Sequence, residues 1–163
     1  MDAYETIVSK RDTRAYQDRP LPDDILHRIL QAGRMAGSSK NTQPCRFVVL
    51  RDPQRLTEFA ACGQFAQHLP AAAAAVAICL PQTGSDFDAG RAAQNIMVAA
   101  WSQDIASCPV SLHDQPCAVS TLGLPEGYRV VVAIGLGYPD PAQPLSAGRA
   151  RLPLEEYVHY ERW

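Results

Sequence analysis

Residues 71–80 lie between Pro70 and Pro81, begin with five consecutive alanines and turn into Val76-Ala77-Ile78-Cys79-Leu80. Propensity alone favours helix for an alanine run. The stretch is short, however, closed by proline at both ends and free of any polar position. Small side chains suit a strand pressed between two helical layers, so the expectation is a central strand buried on both faces. This constrains the rest of the chain, because helices must then cover each side.

Such helices are readable. Residues 87–101 form the strongest one, with Ala92, Ile96, Ala99 and Ala100 on one face and Ala93 and Met97 broadening it. So little polarity predicts burial on most sides. Asp23 and Asp24 offer an N-cap and first-turn charge for a helix through Ile25, Leu26, Ile29 and Leu30 to Met35, with Gly33, Gly37, Ser38 and Ser39 ending it. Residues 2–9 read as a short helix with Tyr4, Ile7 and Val8 on one side. Leu56, Phe59 and Ala60 give residues 54–67 helical spacing, and Gln115–Leu122 reads as a polar helix or turn. Further strands are expected at Arg46–Leu50, at 108–112 from Pro109, and at 128–136 after Gly127. Residues 137–147 read as a surface loop. The tail, with Tyr157, Tyr160 and Trp163, is too aromatic to dangle and must fold back or cross onto a second copy. Helices and strands mix without strict βαβ alternation. The expected class is therefore α+β, a central mixed β-sheet flanked by helices in one domain over residues 1–163.

The chain has 163 residues, 47% of them hydrophobic and 20% charged, enough for one globular domain with a real core. A net charge of −2 argues against a nucleic-acid partner, which would call for a basic excess. No apolar run reaches membrane-spanning length, and Met1-Asp2-Ala3-Tyr4-Glu5 is acidic where a secretory leader is basic. The expected setting is cytoplasmic, with no membrane partner. Cys45, Cys62, Cys79, Cys108 and Cys117 are odd in number, scattered and without a Cys-x-x-Cys pair. They read as reduced, mostly buried thiols rather than a disulfide framework or metal site. Only Cys45, beside a polar loop, is open to a redox role. His27, His68, His113 and His159 are unclustered, and no triad or carboxylate pair is visible. No side chain is thus expected to act as catalytic acid, base or nucleophile.

Two stretches carry the chemistry. Ser9-Lys10-Arg11-Asp12-Thr13-Arg14-Ala15-Tyr16 packs three cations into five residues, a composition that suits a phosphate. Ser38-Ser39-Lys40-Asn41-Thr42-Gln43-Pro44 offers neutral donors and acceptors of the kind that read a flat heterocycle. Together they point to a phosphorylated ring cofactor.

On these residues the sequence resembles the FMN-dependent nitroreductase family in its short form. That family carries Arg-Arg-Ser-x-Arg-x-Phe after its first helix, and Lys10-Arg11-Asp12-Thr13-Arg14-Ala15-Tyr16 aligns with it without a gap. Gly37-Ser38-Ser39-Lys40-Asn41-Thr42-Gln43-Pro44-Cys45 is similar to Pro-Ser-Ser-x-Asn-x-Gln-Pro-Trp. Asp88-Ala89-Gly90-Arg91-Ala92-Ala93-Gln94-Asn95 looks like the start of the long central helix. Arg149-Ala150-Arg151-Leu152-Pro153-Leu154 resembles the second basic motif, and Val158-His159-Tyr160-Glu161-Arg162-Trp163 the usual finish.

The resemblance implies an intertwined homodimer with FMN between the subunits. Lys10, Arg11, Arg14, Arg149 and Arg151, with Asp12 among them, would face the phosphate and ribityl chain. Ser38, Ser39 and Asn41 would come from the partner subunit to the flavin ring, their loop shaped by Pro44. Gln67 and His68 precede the alanine run where the family places a polar flavin contact. The stretch Pro109-Val110-Ser111-Leu112 would present backbone N–H groups at Ser111 and Leu112 to flavin N5. NAD(P)H would then deliver hydride to N5, and a nitroaromatic or quinone acceptor would leave reduced, in a ping-pong cycle. A relative that stores FMN without turnover would carry the same motifs. Several positions depart from the family pattern: Lys10 for arginine, Asp12 for serine, Cys45 for a large aromatic, Asp104 and Ala106 at a glycine turn, and Leu112 for glycine. An acid at 12 would repel a phosphate unless Arg11 or Arg14 pairs with it.

Overall fold

A computed structural model describes residues 2–143 and 150–163. Its elements run α1 (Ala3–Ser9), α2 (Asp23–Arg34), β1 (Arg46–Leu50), α3 (Pro53–Ala60), β2 (Ala74–Pro81), α4 (Asp86–Trp101), β3 (Ala106–Val110), α5 (Gln115–Leu122) and β4 (Tyr128–Gly137). Short 3₁₀ turns stand at Ser39–Asn41, Leu69–Ala71 and Leu154–Glu156.

The strands form one sheet in the order β1-β2-β4-β3, and each of the three pairings is antiparallel. The expected mixed sheet is thus corrected. The parallel element among the described residues is a single bridge between Asp12 and Ser107. The connection from β2 to its neighbour β4 crosses α4, forms the edge strand β3 and returns through α5, so β4 is inserted between β2 and β3 and runs antiparallel to both.

The alanine-rich stretch is the central strand, starting three residues later than expected because Leu69–Ala71 forms a 3₁₀ turn first. Strand side chains alternate between faces. Ala74, Val76, Ile78 and Leu80 therefore join α2 and α4 in one core, with Ile29, Ile96 and Ala100. Ala75, Ala77 and Cys79 join α3 and α5 in the other, with Leu56, Phe59 and Ala118. Seven of the eight positions of β2 are buried, which requires side chains this small between two helical layers. In β4 the register slips between Ile78 and Cys79 of its partner, so Val130 faces α3 and α5 while Val132 faces α2 and α4. One inserted residue reverses the face of every later side chain.

Local chemistry explains most boundaries. Asp2 and Glu5 close a reciprocal capping box on α1 (Glu5 N–H to Asp2 at 2.8 Å, Asp2 N–H to Glu5 at 3.0 Å). Thr6 is its buried residue, while Tyr4, Ile7 and Val8 lie exposed. Pro22 holds the N-cap position of α2 and has no side chain to cap with, so Asp23 instead pairs with the Arg51 guanidinium. Gly33 does not end α2 but lies inside it. A Cβ there would come within 2.6 Å of Ile96, so its absence is what lets α2 close on α4. Asp52 caps α3, which stops at Ala60 rather than 67, because turns at Cys62, Gly63 and Ala66 follow. Asp114 caps α5, and Gly123 ends it in the left-handed region at φ 63°.

The cysteines hold one correction. Cys62 and Cys117 form a disulfide that ties the end of α3 to the first turn of α5, with Cα atoms 5.5 Å apart. Their 55-residue separation carries no local signal. Cys45, Cys79 and Cys108 are free thiols, as expected. In the tail, Tyr157, Tyr160 and Trp163 are exposed, so it does not fold back over the described core. No helix of the described residues is long and apolar enough to cross a membrane, and none of their His, Cys, Asp and Glu side chains cluster as metal ligands.

Candidate functional site

The cationic stretch leaves α1 and runs along the far edge of the sheet. Asp12 bridges Ser107 on β3, and the Thr13 N–H donates to the Ser107 carbonyl at 3.2 Å. Further on, the Gln17 N–H donates to the Tyr138 carbonyl at 2.9 Å and Tyr16 bridges Pro139. The segment is therefore pinned at both ends, with Arg14 and Tyr16 between. The Tyr16 ring lies against Gly137, where a Cβ would fall within 2.8 Å of it, and its hydroxyl donates to the Gly135 carbonyl at 3.3 Å. Burial pushes the Tyr16 phenol well up, with Cys108 and Asp12 adding to the shift and Arg14 opposing it.

Beneath this segment the buried Nδ1 and Nε2 of His68 and Oγ of Ser107 make no hydrogen bond of full geometry, although backbone groups of Cys108 and Phe65 lie close enough to the imidazole to hydrogen-bond it weakly. His68 is only 8% exposed and Ser107 fully buried. Burial pushes the His68 imidazole down; backbone at Cys108 and Phe65 works the other way, and the Arg14 charge adds to the fall. A neutral imidazole has one donor and one acceptor nitrogen to offer a ligand. Cys108 stands in the same group, its thiol pushed up by burial and drawn back by the Arg14 charge. Asp12, Thr13, Arg14, Ala15, Tyr16, Ala71, Asp140 and Gln143 line an adjoining cavity of about 430 Å³. Among the described residues Arg14 is the one cation on this lining, beside the carboxylates of Asp12 and Asp140, and His68 and Ser107 lie behind it rather than on it. Buried polar groups such as these are rarely left without a partner.

The five expected phosphate cations fare differently. Arg14 lines the cavity. Lys10 pairs with Asp12 and lies 3.5 Å from the Met97 sulfur, its side chain mostly buried. The acid at position 12 is thus neutralised by Lys10, not by Arg11 or Arg14. Arg11 turns back and donates to the Val8 and Lys10 carbonyls at 2.9 and 2.8 Å, capping the C-terminus of α1. Arg151 is exposed in the tail, and Arg149 lies outside the described residues.

The polar loop lies elsewhere. Its backbone takes positive φ at Lys40, Asn41 and Gln43, and the Ser38 hydroxyl accepts from the Gln43 N–H at 2.8 Å. Ser39 and Asn41 point outward, exposed. Ser38, Gln43, Pro44 and Cys45 line a second cavity of about 490 Å³ with residues of α2 and α4, among them Asp88. None of its lining residues lines the Arg14 cavity. Burial pushes the Cys45 thiol up, Asp88 adds to this and Arg46 opposes it, so the thiol is kept from the anionic form.

Of the remaining positions, Gln67 is exposed and donates to the Gln64 carbonyl at 2.6 Å. Ser111 is exposed just past β3, and Leu112 is buried in the α3–α5 core. Leu112 therefore departs from glycine for a packing reason. The structure brings together Lys10, Asp12, Arg14 and His68, and adds Tyr16 and Ser107. Tyr16 was visible as the aromatic two places after Arg14. Ser107 has no signal in the sequence; only the pairing with Asp12 places it.

The sequence profile of the nitroreductase family matches residues 7–84 and 80–138. An Archaeoglobus fulgidus protein provisionally assigned as an NADH dehydrogenase/NAD(P)H nitroreductase is 29% identical over 99% of each chain. The Vibrio harveyi NADPH-flavin oxidoreductase is 28% identical over 99% of this chain and 75% of its own. Among solved structures, the Vibrio harveyi NADPH:FMN oxidoreductase complexed with NAD+ superposes with a TM-score of 0.89 at 26% identity, covering 99% of this chain and 77% of that one. A provisionally assigned nitroreductase from Desulfovibrio desulfuricans in complex with FMN gives 0.84 at 27% identity, over 100% and 98%. A profile match across most of the chain, with the same fold end to end, establishes that this chain belongs to the nitroreductase family.

Proposed function

We propose that the protein is an FMN-dependent NAD(P)H oxidoreductase of the nitroreductase type. It works as a homodimer, by a ping-pong cycle, on a small acceptor of the nitroaromatic or quinone kind. The observation that carries the reading is the pair of buried polar side chains His68 and Ser107, without well-formed hydrogen bonds, beside Arg14. A ligand with a phosphate and a polar ring would satisfy them, and the donor set fits FMN. Bound FMN supplies two-electron redox chemistry that no side chain in the site offers.

The chain's own residues then bind and orient. Arg14, with Arg149 and Arg151 from the far end of the chain, would hold the phosphate. Lys10 keeps Asp12 neutralised, so the segment can approach an anion. His68 and Ser107 would hydrogen-bond polar edges of the cofactor, and the backbone at Ser111 and Leu112 would donate to the ring. Ser38, Ser39 and Asn41 would reach the ring bound by a second copy. Two facts support that division. The Arg14 and Ser38 cavities have separate linings, and Tyr4, Ile7, Tyr157, Tyr160 and Trp163 expose apolar surface that a partner could cover.

The test is a visible spectrum of protein reconstituted with FMN, followed by anaerobic NADH or NADPH. Expected are a bound-flavin spectrum, bleaching by one of the nicotinamides, and FMN affinity at least about tenfold weaker in Arg14→Ala, the scale of one charge-assisted contact. A colourless preparation would overturn the cofactor, and bound flavin that neither nicotinamide bleaches would leave a flavin carrier instead of a reductase.

A further inference from the structure

The Cys62–Cys117 disulfide lies between two segments that lead into the candidate site. One is the turn after α3, which continues to His68. The other is the loop 111–114 between β3 and α5. They are held together by three further contacts. The Asp114 N–H donates to the Cys62 carbonyl at 3.0 Å. A Cβ on Gly63 would meet the Leu112 Cδ1 at 3.0 Å and the Ser111 carbonyl at 3.2 Å. The Phe65 and His113 rings meet edge to face at 5.7 Å. Asp114, which pairs with Cys62 through its backbone, also caps α5 by accepting from the Cys117 N–H at 3.0 Å.

The two sulfurs are not equivalent. Cys62 is 1% exposed, whereas Cys117 is half-buried. The Thr121 hydroxyl stands 3.6 Å from the Cys62 sulfur, placed to donate a hydrogen bond to it. A thiolate arriving from solvent thus reaches Cys117, and Cys62 is the sulfur that leaves with a hydrogen bond ready for it.

We propose that Cys62 and Cys117 form a redox-modifiable site whose oxidised state positions the 111–114 loop and the His68 segment for cofactor binding; this rests on the FMN reading above. In the reductive step a small dithiol attacks the Cys117 sulfur through one thiolate. The S–S bond breaks, Cys62 leaves as a thiolate and takes a proton, and a mixed disulfide forms. The second thiol of the reagent then releases Cys117 as a thiol and closes its own ring. Two electrons and two protons pass from the dithiol to the protein. Without the bond, the loop keeps one backbone hydrogen bond and two packing contacts to the turn, and both segments gain freedom that binding must remove.

The experiment uses the reconstituted holoprotein. Peptide mapping before and after dithiothreitol locates the bond, and flavin fluorescence measures FMN Kd in each state. Expected is a Cys62–Cys117 linked peptide in the oxidised protein, and an FMN Kd about tenfold weaker after reduction, recovered on reoxidation. Cys62→Ser with Cys117→Ser should bind FMN at the reduced level and ignore dithiothreitol. If that variant does not fold, hydrogen exchange at 111–118 in the wild type replaces it, with faster exchange expected on reduction. Equal Kd in both states, or free thiols at both positions after mild oxidation, would overturn the proposal. Failure to bind FMN in either state would instead strike the cofactor reading.

Discussion

Gly137→Ala tests whether the cationic segment is seated as described. A Cβ at Gly137 would lie 2.8 Å from Tyr16 Cδ1, 3.0 Å from Cγ and 3.1 Å from Cβ. A ring alone could swing away, but the Tyr16 Cβ cannot, because the backbone around it is fixed by the Tyr16–Pro139 bridge and the Gln17 N–H to Tyr138. Inserting a methyl into such a contact costs about 1–3 kcal/mol. Displacing the ring also breaks the hydroxyl's bond to Gly135, about 1 kcal/mol more. We expect a loss of about 2–4 kcal/mol by urea unfolding, or roughly 5–15 °C in Tm for a domain of this size. The double variant with Tyr16→Leu should recover part of that loss, giving a coupling energy above about 1 kcal/mol. FMN affinity should fall with it, since Arg14 stands two residues from the displaced Tyr16 ring on the wall of the same cavity. A Gly137→Ala protein within about 0.5 kcal/mol of wild type, or strictly additive with Tyr16→Leu, would refute this seating of Tyr16.

Two further outcomes follow from titrating groups. The folded state holds the buried His68 below its ordinary pKa, so it resists a proton that the unfolded chain accepts. Its share of stability is complete above about pH 6.5 and is lost as pH falls below that value, before levelling off below the folded pKa. In unfolding curves of the apoprotein between pH 8 and 5, His68→Gln should flatten this decline. An unchanged decline would place its cause elsewhere. For Cys45, burial and Asp88 raise the thiol pKa, so alkylation by iodoacetamide at pH 7.5 should run slower than for a free thiol such as glutathione. A faster rate would reinstate the redox role considered for this residue.

Most elements were legible because their signals are local. The eight residues Gln115–Leu122 and the five of Arg46–Leu50 are bounded by Asp114 and Gly123, and by the turn at Asp52-Pro53, which act within a residue or two of the element itself. The ends that moved were those set by distant partners. Gly33 reads locally as a stop, but its place is decided by Ile96, 63 positions away along the chain, against which α2 must close. The site divided in the same way. Arg14 and His68 could be named from motif and position, yet Arg11, equally cationic and three places earlier, turned out to be a helix cap.

By itself the sequence determined that the alanine-rich stretch before Pro81 holds a doubly buried strand, though not that it begins only at Ala74, that helices cover it on both sides, and that a cationic segment follows the first helix. Each rests on side-chain size, periodicity or charge within a short window. Tertiary structure alone decided that every strand pairing among the described residues is antiparallel, that Lys10 rather than an arginine neutralises Asp12, that Ser107 is buried with His68 near Arg14, and that Cys62 reaches Cys117. Those outcomes depend on which segments meet after the chain has turned back on itself. Pairing and burial are properties of the meeting, and neither partner carries them alone.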